Sequence, residues 1–226
     1  HLGGEKERIV SVVARTWSED AADFHTLGIE VVATPGAAVH SRVPGLPDEA
    51  FRHDGKMTKQ EVRAVTLAAL KPYPGALLWD VGSGCGSVAI EWLRAADRTK
   101  AIGLEPHKER RLMAAENASS LGVPHLDLIN ATAPDGLHGL SEPDAIFIGG
   151  GLTADNMVET CLSALKPGGT LVANAVTLES EAVLLNAYQQ HGGDLKRLSV
   201  QRASAVGGLT GWRPAMPVTQ WSFVKS

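Results

Sequence analysis

The stretch Asp80-Val-Gly-Ser-Gly-Cys-Gly86, entered by the apolar run Ala76-Leu-Leu-Trp79, constrains this chain more than any other. It reads as a buried strand that runs into three glycines at alternate positions and then opens a helix. Such a turn lets the backbone approach a ligand with no Cβ in the way. A dinucleotide-binding turn would carry its third glycine where this chain has Ser87, so the pattern is G-x-G-x-G rather than G-x-G-x-x-G. The acid two residues before the first glycine would repel a pyrophosphate but suits a ligand with a cationic end. Taken alone, the element is also compatible with a strand-to-helix turn that binds nothing.

Composition sets the outer bounds. With 226 residues and 44% apolar side chains, the chain is long enough for one large α/β domain, or one domain with an appendage. Its formal net charge of −4 comes from mixed signs, so no broad cationic face argues for nucleic acid. Cys85 and Cys161 are too few for a disulfide framework and fit a reduced, cytoplasmic setting. No apolar run approaches the roughly 18 residues of a membrane span. The beginning, His1-Leu-Gly-Gly-Glu-Lys-Glu-Arg8, is neither a secretory signal nor a natural initiator, and is expected to be cut from something longer.

Along the chain, a helical pattern covers about Glu5 to Trp17, and Leu27-Gly-Ile-Glu-Val-Val-Ala33 reads as a strand. Residues 35–57 are rich in Pro, Gly and His and read as a linker or arm. Thr58-Lys-Gln-Glu61 has the form of a capping box, followed by an apolar helical face of Val62, Val65, Ala69 and Leu70 that Pro72 and Pro74 end. Strands are then expected near 76–81, 100–104, 126–130, 144–149 and 169–175, with helices near 86–96, 107–121, 153–165 and 179–191. Unbroken apolar strands such as Ala145-Ile-Phe-Ile148 suit a mainly parallel sheet covered on both faces. Beyond Gly193, β segments at about 195–203 and 217–225 are joined by the Gly- and Pro-rich Ala205–Met216.

Glu105 ends the second strand, where an acid can accept both hydroxyls of a ribose. That supports a nucleoside ligand without choosing between a dinucleotide and another cofactor. Asn130-Ala-Thr-Ala-Pro134 follows the third strand and has the small residues that suit packing against an adenine, or an ordinary turn. Gly149-Gly-Gly151 follows the fourth strand, and its backbone entropy cost points to a close approach by a bulky ligand or to a mobile loop. The eight histidines show no metal-ligand spacing, so no metal is expected, and His53 and His107 read as surface or pocket polar groups. Cys85 has no evident base beside it and reads as a packing residue. Trp212 and Trp221 read as core or interface aromatics. The alternating glycines with Asp80 resemble the turn by which Rossmann-like class I methyltransferases hold S-adenosylmethionine. Methyl transfer from a sulfonium needs mainly an aligned in-line approach, so the lack of a catalytic triad is no objection.

The chain further resembles the decarboxylating precorrin methyltransferases of cobalamin biosynthesis, in their C-terminal half. Pro44–Phe51, Asp54–Arg63, Asp80–Gly86, Ala133-Pro134, Ile146–Gly150, Asn174–Glu179 and Pro217–Trp221 carry the resemblance, in order, over about residues 36–226. It implies a seven-stranded fold over residues 58–226 and S-adenosylmethionine held by Thr58, Gly82, Ser83, Gly84, Cys85, Gly86, Glu105 and Ala133, with Asp80 and Thr132 completing the expected set. Two positions depart from the family pattern: Thr132 stands where an Asp is usual, and Met216 where an Asn is common. The implied reaction is methylation of a precorrin macrocycle at C15 with loss of CO2 from the C12 acetate. A substrate with many carboxylates would be met by Arg52, Lys56, Lys59, Arg63, and Arg202 or Arg213, beside Gly149 and Gly150. Those basic residues equally fit a solvated face, and no general base stands out. Residues 1–34 then look like the tail of a preceding tetrapyrrole-methylase domain, which would be missing here, and the resemblance implies a homotetramer. The rival expectations are a methyltransferase acting on RNA, protein or another small molecule, and a non-catalytic nucleotide-binding module.

Overall fold

Alternation along β1 (Leu77–Val81) decides which side of the sheet each functional group enters. Leu78 joins one apolar core with Phe147 and Val172, whereas Trp79 and Val81 join a second with Ile146, Ile148, Leu171 and Ala173. Successive side chains of a strand point to opposite faces, so the two cores are the two faces of one sheet, and Asp80 shares the face of Leu78. The computed structural model describes residues 4, 5, 7–18, 20, 21 and 23–226. They fall into two units, His1–Val39 and His40–Ser226.

In the larger unit β1, β2 (Lys100–Leu104), β3 (Asp127–Ile129), β4 (Ala145–Ile148) and β5 (Thr170–Ala175) are parallel neighbours. After them come β6 (Asp194–Leu198), β7 (Gln201–Val206), β8 (Leu209–Pro214) and β9 (Val218–Val224). β9 lies antiparallel between β5 and β6, which gives the sheet order β3-β2-β1-β4-β5-β9-β6. Helices α1 (Gln60–Leu70), α2 (Ser87–Ala95) and α3 (Lys108–Ser120) supply buried side chains to the first core. Helices α4 (Met157–Ala164) and α5 (Leu178–His191) supply them to the second. The expected parallel sheet with helices on both faces is therefore the observed one.

Five local expectations are corrected. The helix read over Glu5–Trp17 appears, among the described residues, only as a 3-10 turn at Ala14–Thr16, and 27–33 form no strand. Ile9, Ile29 and Val31 are largely exposed, and a short helix is marginal without a packed apolar face. The arm read over 35–57 is built into the larger unit from His40 onward. The Glu91 carboxylate accepts the Gly45 and Leu46 amides at 2.5 and 3.0 Å, and Leu46 and Phe51 join the first core. The capping box at Thr58 does not form. Lys59 is the N-cap and makes no side-chain cap bond; instead the Gln60 amide donates to Asp48 Oδ1 at 2.9 Å, while Glu61 turns to Arg202. Finally, the connection over Ala205–Met216 contains the hairpin of β7 and β8, closed by Gly207-Gly208 between the paired Val206 and Leu209. Two glycines in that position favour a tight hairpin turn, and Gly207 has φ +59°.

Arg63 of α1 secures the arm. Its Nε donates to Glu91 Oε1 at 2.5 Å, and its Nη1 to the Thr58 carbonyl at 2.6 Å and to Asp48 Oδ1 at 3.2 Å. Its Nη2 donates to the Leu46 carbonyl. The guanidinium also stacks 4.7 Å from the Phe51 ring centre. Both partners of the Arg63–Glu91 pair are buried, so removing one leaves an uncompensated charge. Arg63→Ala is expected to lower stability by about 3–5 kcal/mol, read by urea denaturation.

Candidate functional site

The site forms where β1 ends. Gly82, Gly84 and Gly86 have φ of +73°, +56° and +79°, a region closed to most side chains. Gly82 also needs its missing side chain for space, because a Cβ there would lie 2.8 Å from the Gly150 Cα. Gly86 is hemmed in by Ala114 and Ile90. At Gly84 a Cβ would meet only the Lys56 carbonyl, at 3.8 Å, so this residue faces open space. The Gly82 and Ser83 amides both donate to the Leu104 carbonyl, at 3.0 and 3.1 Å, which stitches the turn to the end of β2.

Two carboxylates flank the turn. Asp80 is 1% exposed; its Oδ2 accepts the Ala89 amide at 3.1 Å, while its Oδ1 has no hydrogen-bond partner among the described residues. Burial pushes its carboxyl up to about 7, against the Ala89 amide and with help from the nearby Glu105 charge. Glu105 is buried too. Its Oε2 accepts the Gly84 amide and its Oε1 the His107 amide, both at 3.0 Å. A carboxylate oxygen has two lone pairs, so each can still accept a ribose hydroxyl. Ser83 Oγ is a further buried atom without a hydrogen-bond partner among the described residues. The unpaired Asp80 and Ser83 oxygens, beside an open Gly84, fit a ligand that brings hydrogen-bond donors and positive charge.

The other expected residues divide. Lys56 comes to the turn from the arm, its carbonyl beside Gly84, while the Thr58 carbonyl accepts from Arg63. The Thr132 carbonyl accepts the Gly136 amide at 2.8 Å, and Ala133 packs on the second core. Cys85 is buried and its thiol is pushed up by burial, which suits packing. Gly150 abuts Gly82, but the space beside Gly149 is filled from within: a Cβ there would lie 2.7 Å from the Phe147 ring. Arg63 is not at a rim, as expected from sequence; it is fully buried with its guanidinium engaged. Arg52 is exposed and paired with Glu116, and Lys59 stands 3.9 Å from Asp48 Oδ2. Arg202 binds both Glu61 oxygens, at 2.8 and 2.7 Å. Arg213 sits directly opposite Arg202 on the hairpin, exposed and without an ion pair among the described residues.

Three groups were missed by sequence reasoning. Arg111 joins the ends of β2 and β3, donating to the Glu105 carbonyl at 2.6 Å and to Asn130 Oδ1 at 2.8 Å. Asn174, Thr66 and Gln220 bond one another across β5, α1 and β9 at 2.9–3.1 Å. Asn117 ties the arm to the glycine turn. A polar residue inside an otherwise apolar stretch was the available signal for Thr66 and Gln220; Arg111 reads as ordinary helix surface. A cleft of about 470 Å3 lined by Lys71, Thr170, Asp194 and Lys196 contains none of the expected site residues. Among the described residues no group of three or more His, Cys, Asp or Glu could hold a metal.

The sheet order, its one reversed strand and the acid–glycine turn define the Rossmann-like fold of class I S-adenosylmethionine-dependent methyltransferases. Within that class the chain belongs to the precorrin methyltransferase domain family, whose model matches residues 49–225. A relative from Sinorhizobium sp., named precorrin-6Y C(5,15)-methyltransferase [decarboxylating], is 48% identical over 99% of this chain and 54% of its own. The chain thus spans about half the length of such curated relatives. A Pyrobaculum calidifontis relative, named as a probable cobalt-precorrin-6B C(15)-methyltransferase (decarboxylating), is 34% identical over 77% of this chain and 93% of its own. The crystal structure of the C-terminal domain of precorrin-6Y C5,15-methyltransferase from Rhodobacter capsulatus superposes with a TM-score of 0.78 and 43% identity, covering 82% of this chain and all of that one.

The raised Asp80 carboxyl has a consequence for pH. Between 3.8 and about 7 the folded chain holds a proton that the unfolded chain releases, so this group's contribution to stability falls as pH rises through that window. Asp80→Asn is expected to remove that part of the slope, seen as a wild-type minus variant difference in urea midpoints measured from pH 4 to 8.

Proposed function

We propose that this chain transfers a methyl group from S-adenosylmethionine to C15 of a precorrin macrocycle and removes CO2 from the C12 acetate. The observation that carries the proposal is the pairing of an unsatisfied buried Asp80 with Glu105 across an open glycine turn, in a member of this family. Asp80 Oδ1 and Ser83 Oγ would receive the ammonium end of the cofactor, Glu105 its ribose, and Thr132-Ala133 the edge of its adenine. Thr58, carried in by the arm, would meet the carboxylate end. Bound there, S-adenosylmethionine supplies an electrophilic methyl. The residues around it have to orient the macrocycle and exclude water. Loss of CO2 leaves electron density that the conjugated ring can deliver to the carbon taking the methyl, so no triad is required.

The hairpin suits an anionic substrate such as one that bears carboxylates. Like charges directly opposite on two strands repel, and among the described residues only Arg202 of the two has an acid against it, in Glu61. A substrate carboxylate would relieve the remaining charge at Arg213.

Three features of the chain at large fit the same reading. The exposed Ile9, Phe24, Val31 and Val32 of the smaller unit are what the tail of a preceding tetrapyrrole-methylase domain would leave uncovered. Val206, Leu209 and Trp212 stand exposed on the hairpin, as contacts between copies in a homotetramer would. Unpaired, buried Cys85 and Cys161 fit the cytoplasm.

Incubation with S-adenosylmethionine and C5-methylated or unmethylated precorrin, followed by mass spectrometry, tests the reaction. The expected product gains one methyl and loses one CO2. Methylation with the carboxylate retained would remove decarboxylation from this chain. In the same assay Arg213→Ala is expected to raise the substrate KM by about tenfold with kcat little changed.

A further inference from the structure

The arm reaches the glycine turn through one buried amide. Asn117 lies inside α3 and is 3% exposed. Its Oδ1 accepts the Arg52 amide at 2.8 Å, and its Nδ2 donates to the Arg52 carbonyl at 2.9 Å and to the Cys85 carbonyl at 3.0 Å. A primary amide has one acceptor oxygen and two N–H donors, and here all three are spent on backbone. Asparagine is a poor helix former and costly to bury unpaired, so neither helix formation nor core filling accounts for it.

Beyond Arg52 the chain runs as a strap to Lys56, whose carbonyl lies beside Gly84, and to Thr58. Two other links hold the strap to α3, Arg52–Glu116 and Arg110–Asp54. The Arg52 and Glu116 side chains are 67% and 55% exposed, and ion pairs of that kind contribute little. Arg110–Asp54 is less exposed, and Arg63 holds the far end of the strap at the Thr58 carbonyl. The buried amide, however, is the link that also reaches the glycine turn, and each of its bonds would leave an unsatisfied buried group if broken.

We propose that Asn117 is a positioning residue that seats the 52–58 strap over the glycine turn and so sets cofactor affinity without touching the cofactor, a role that rests on the cofactor site proposed above. When the strap is seated, Lys56 stands at the open side of Gly84. When it is released, the binding-competent fraction falls and the apparent affinity falls with it.

Asn117→Asp tests this with little change of size: it keeps the acceptor for the Arg52 amide, loses both donors and sets a charge against two carbonyls. Hydrogen exchange of 52–58 and calorimetric titration with S-adenosylhomocysteine are measured together, with Glu116→Gln as control. Exchange of the strap is expected to rise while β1 and β4 stay protected. Affinity should fall about tenfold to hundredfold, and kcat at saturating S-adenosylmethionine should stay within about twofold. Glu116→Gln should change none of these. Unchanged strap exchange would overturn the proposal, as would a loss of affinity matched by a uniform rise in exchange across the sheet. If Asn117→Asp does not fold, Asn117→Ser, smaller and uncharged, is judged by the same criteria. A wild-type chain that binds no S-adenosylhomocysteine sinks the cofactor site instead, and strap exchange still decides whether Asn117 seats the strap.

Discussion

The close approach of two backbones at the carboxyl edge of the sheet governs the rest of this molecule. Gly82 and Gly150 leave β1 and β4 so near one another that a single added methyl would sit 2.8 Å from the opposite Cα. The approach follows from the parallel register of the two strands, in which Val81 pairs with Ile148, and from the Val81 carbonyl accepting the Gly149 amide at 2.9 Å. Because the turn at Gly82 is fixed, Asp80 is held just beneath it and Gly84 just above it. The shape of the candidate site is a property of backbone packing, set before any side chain of the pocket contributes.

The energetic cost of this arrangement is concentrated in Asp80. A carboxyl buried with one unpaired oxygen destabilises the fold once it ionises, and the nearby Glu105 adds to that penalty. A cationic ligand reverses the sign, since an opposite charge at short range favours the ionised form. In the proposed site, stability and ligand binding would therefore meet on one atom, Asp80 Oδ1. The arm is the compensating element: Arg63, Glu91 and Asn117 turn a Pro- and Gly-rich segment into a fixed wall through buried hydrogen bonds.

Much of the sheet was legible because a buried parallel strand is written as a continuous apolar run. The strand expected over 100–104 coincides with β2, and that over 169–175 is β5 with one residue fewer. The glycine turn was legible for a related reason, as positive φ and a close contact both exclude side chains. What failed depended on partners distant in sequence. Thr58 and Glu61 have the spacing of a cap, yet Asp48, twelve residues away, serves the Gln60 amide. Arg63 looks like surface charge until Glu91, on another helix, is placed against it. The hairpin at Gly207-Gly208 was written locally and overlooked, because the surrounding Gly and Pro residues also spell a loop. Asn117 carries no local mark at all, since its three bonds reach residues 52 and 85.

The central claim is that the acid–glycine turn holds S-adenosylmethionine and not a dinucleotide. Parallel calorimetric titrations of this chain with S-adenosylhomocysteine and with NAD test it most directly. Saturable one-site binding of S-adenosylhomocysteine with no heat from NAD is the predicted result; binding of NAD without S-adenosylhomocysteine would contradict it.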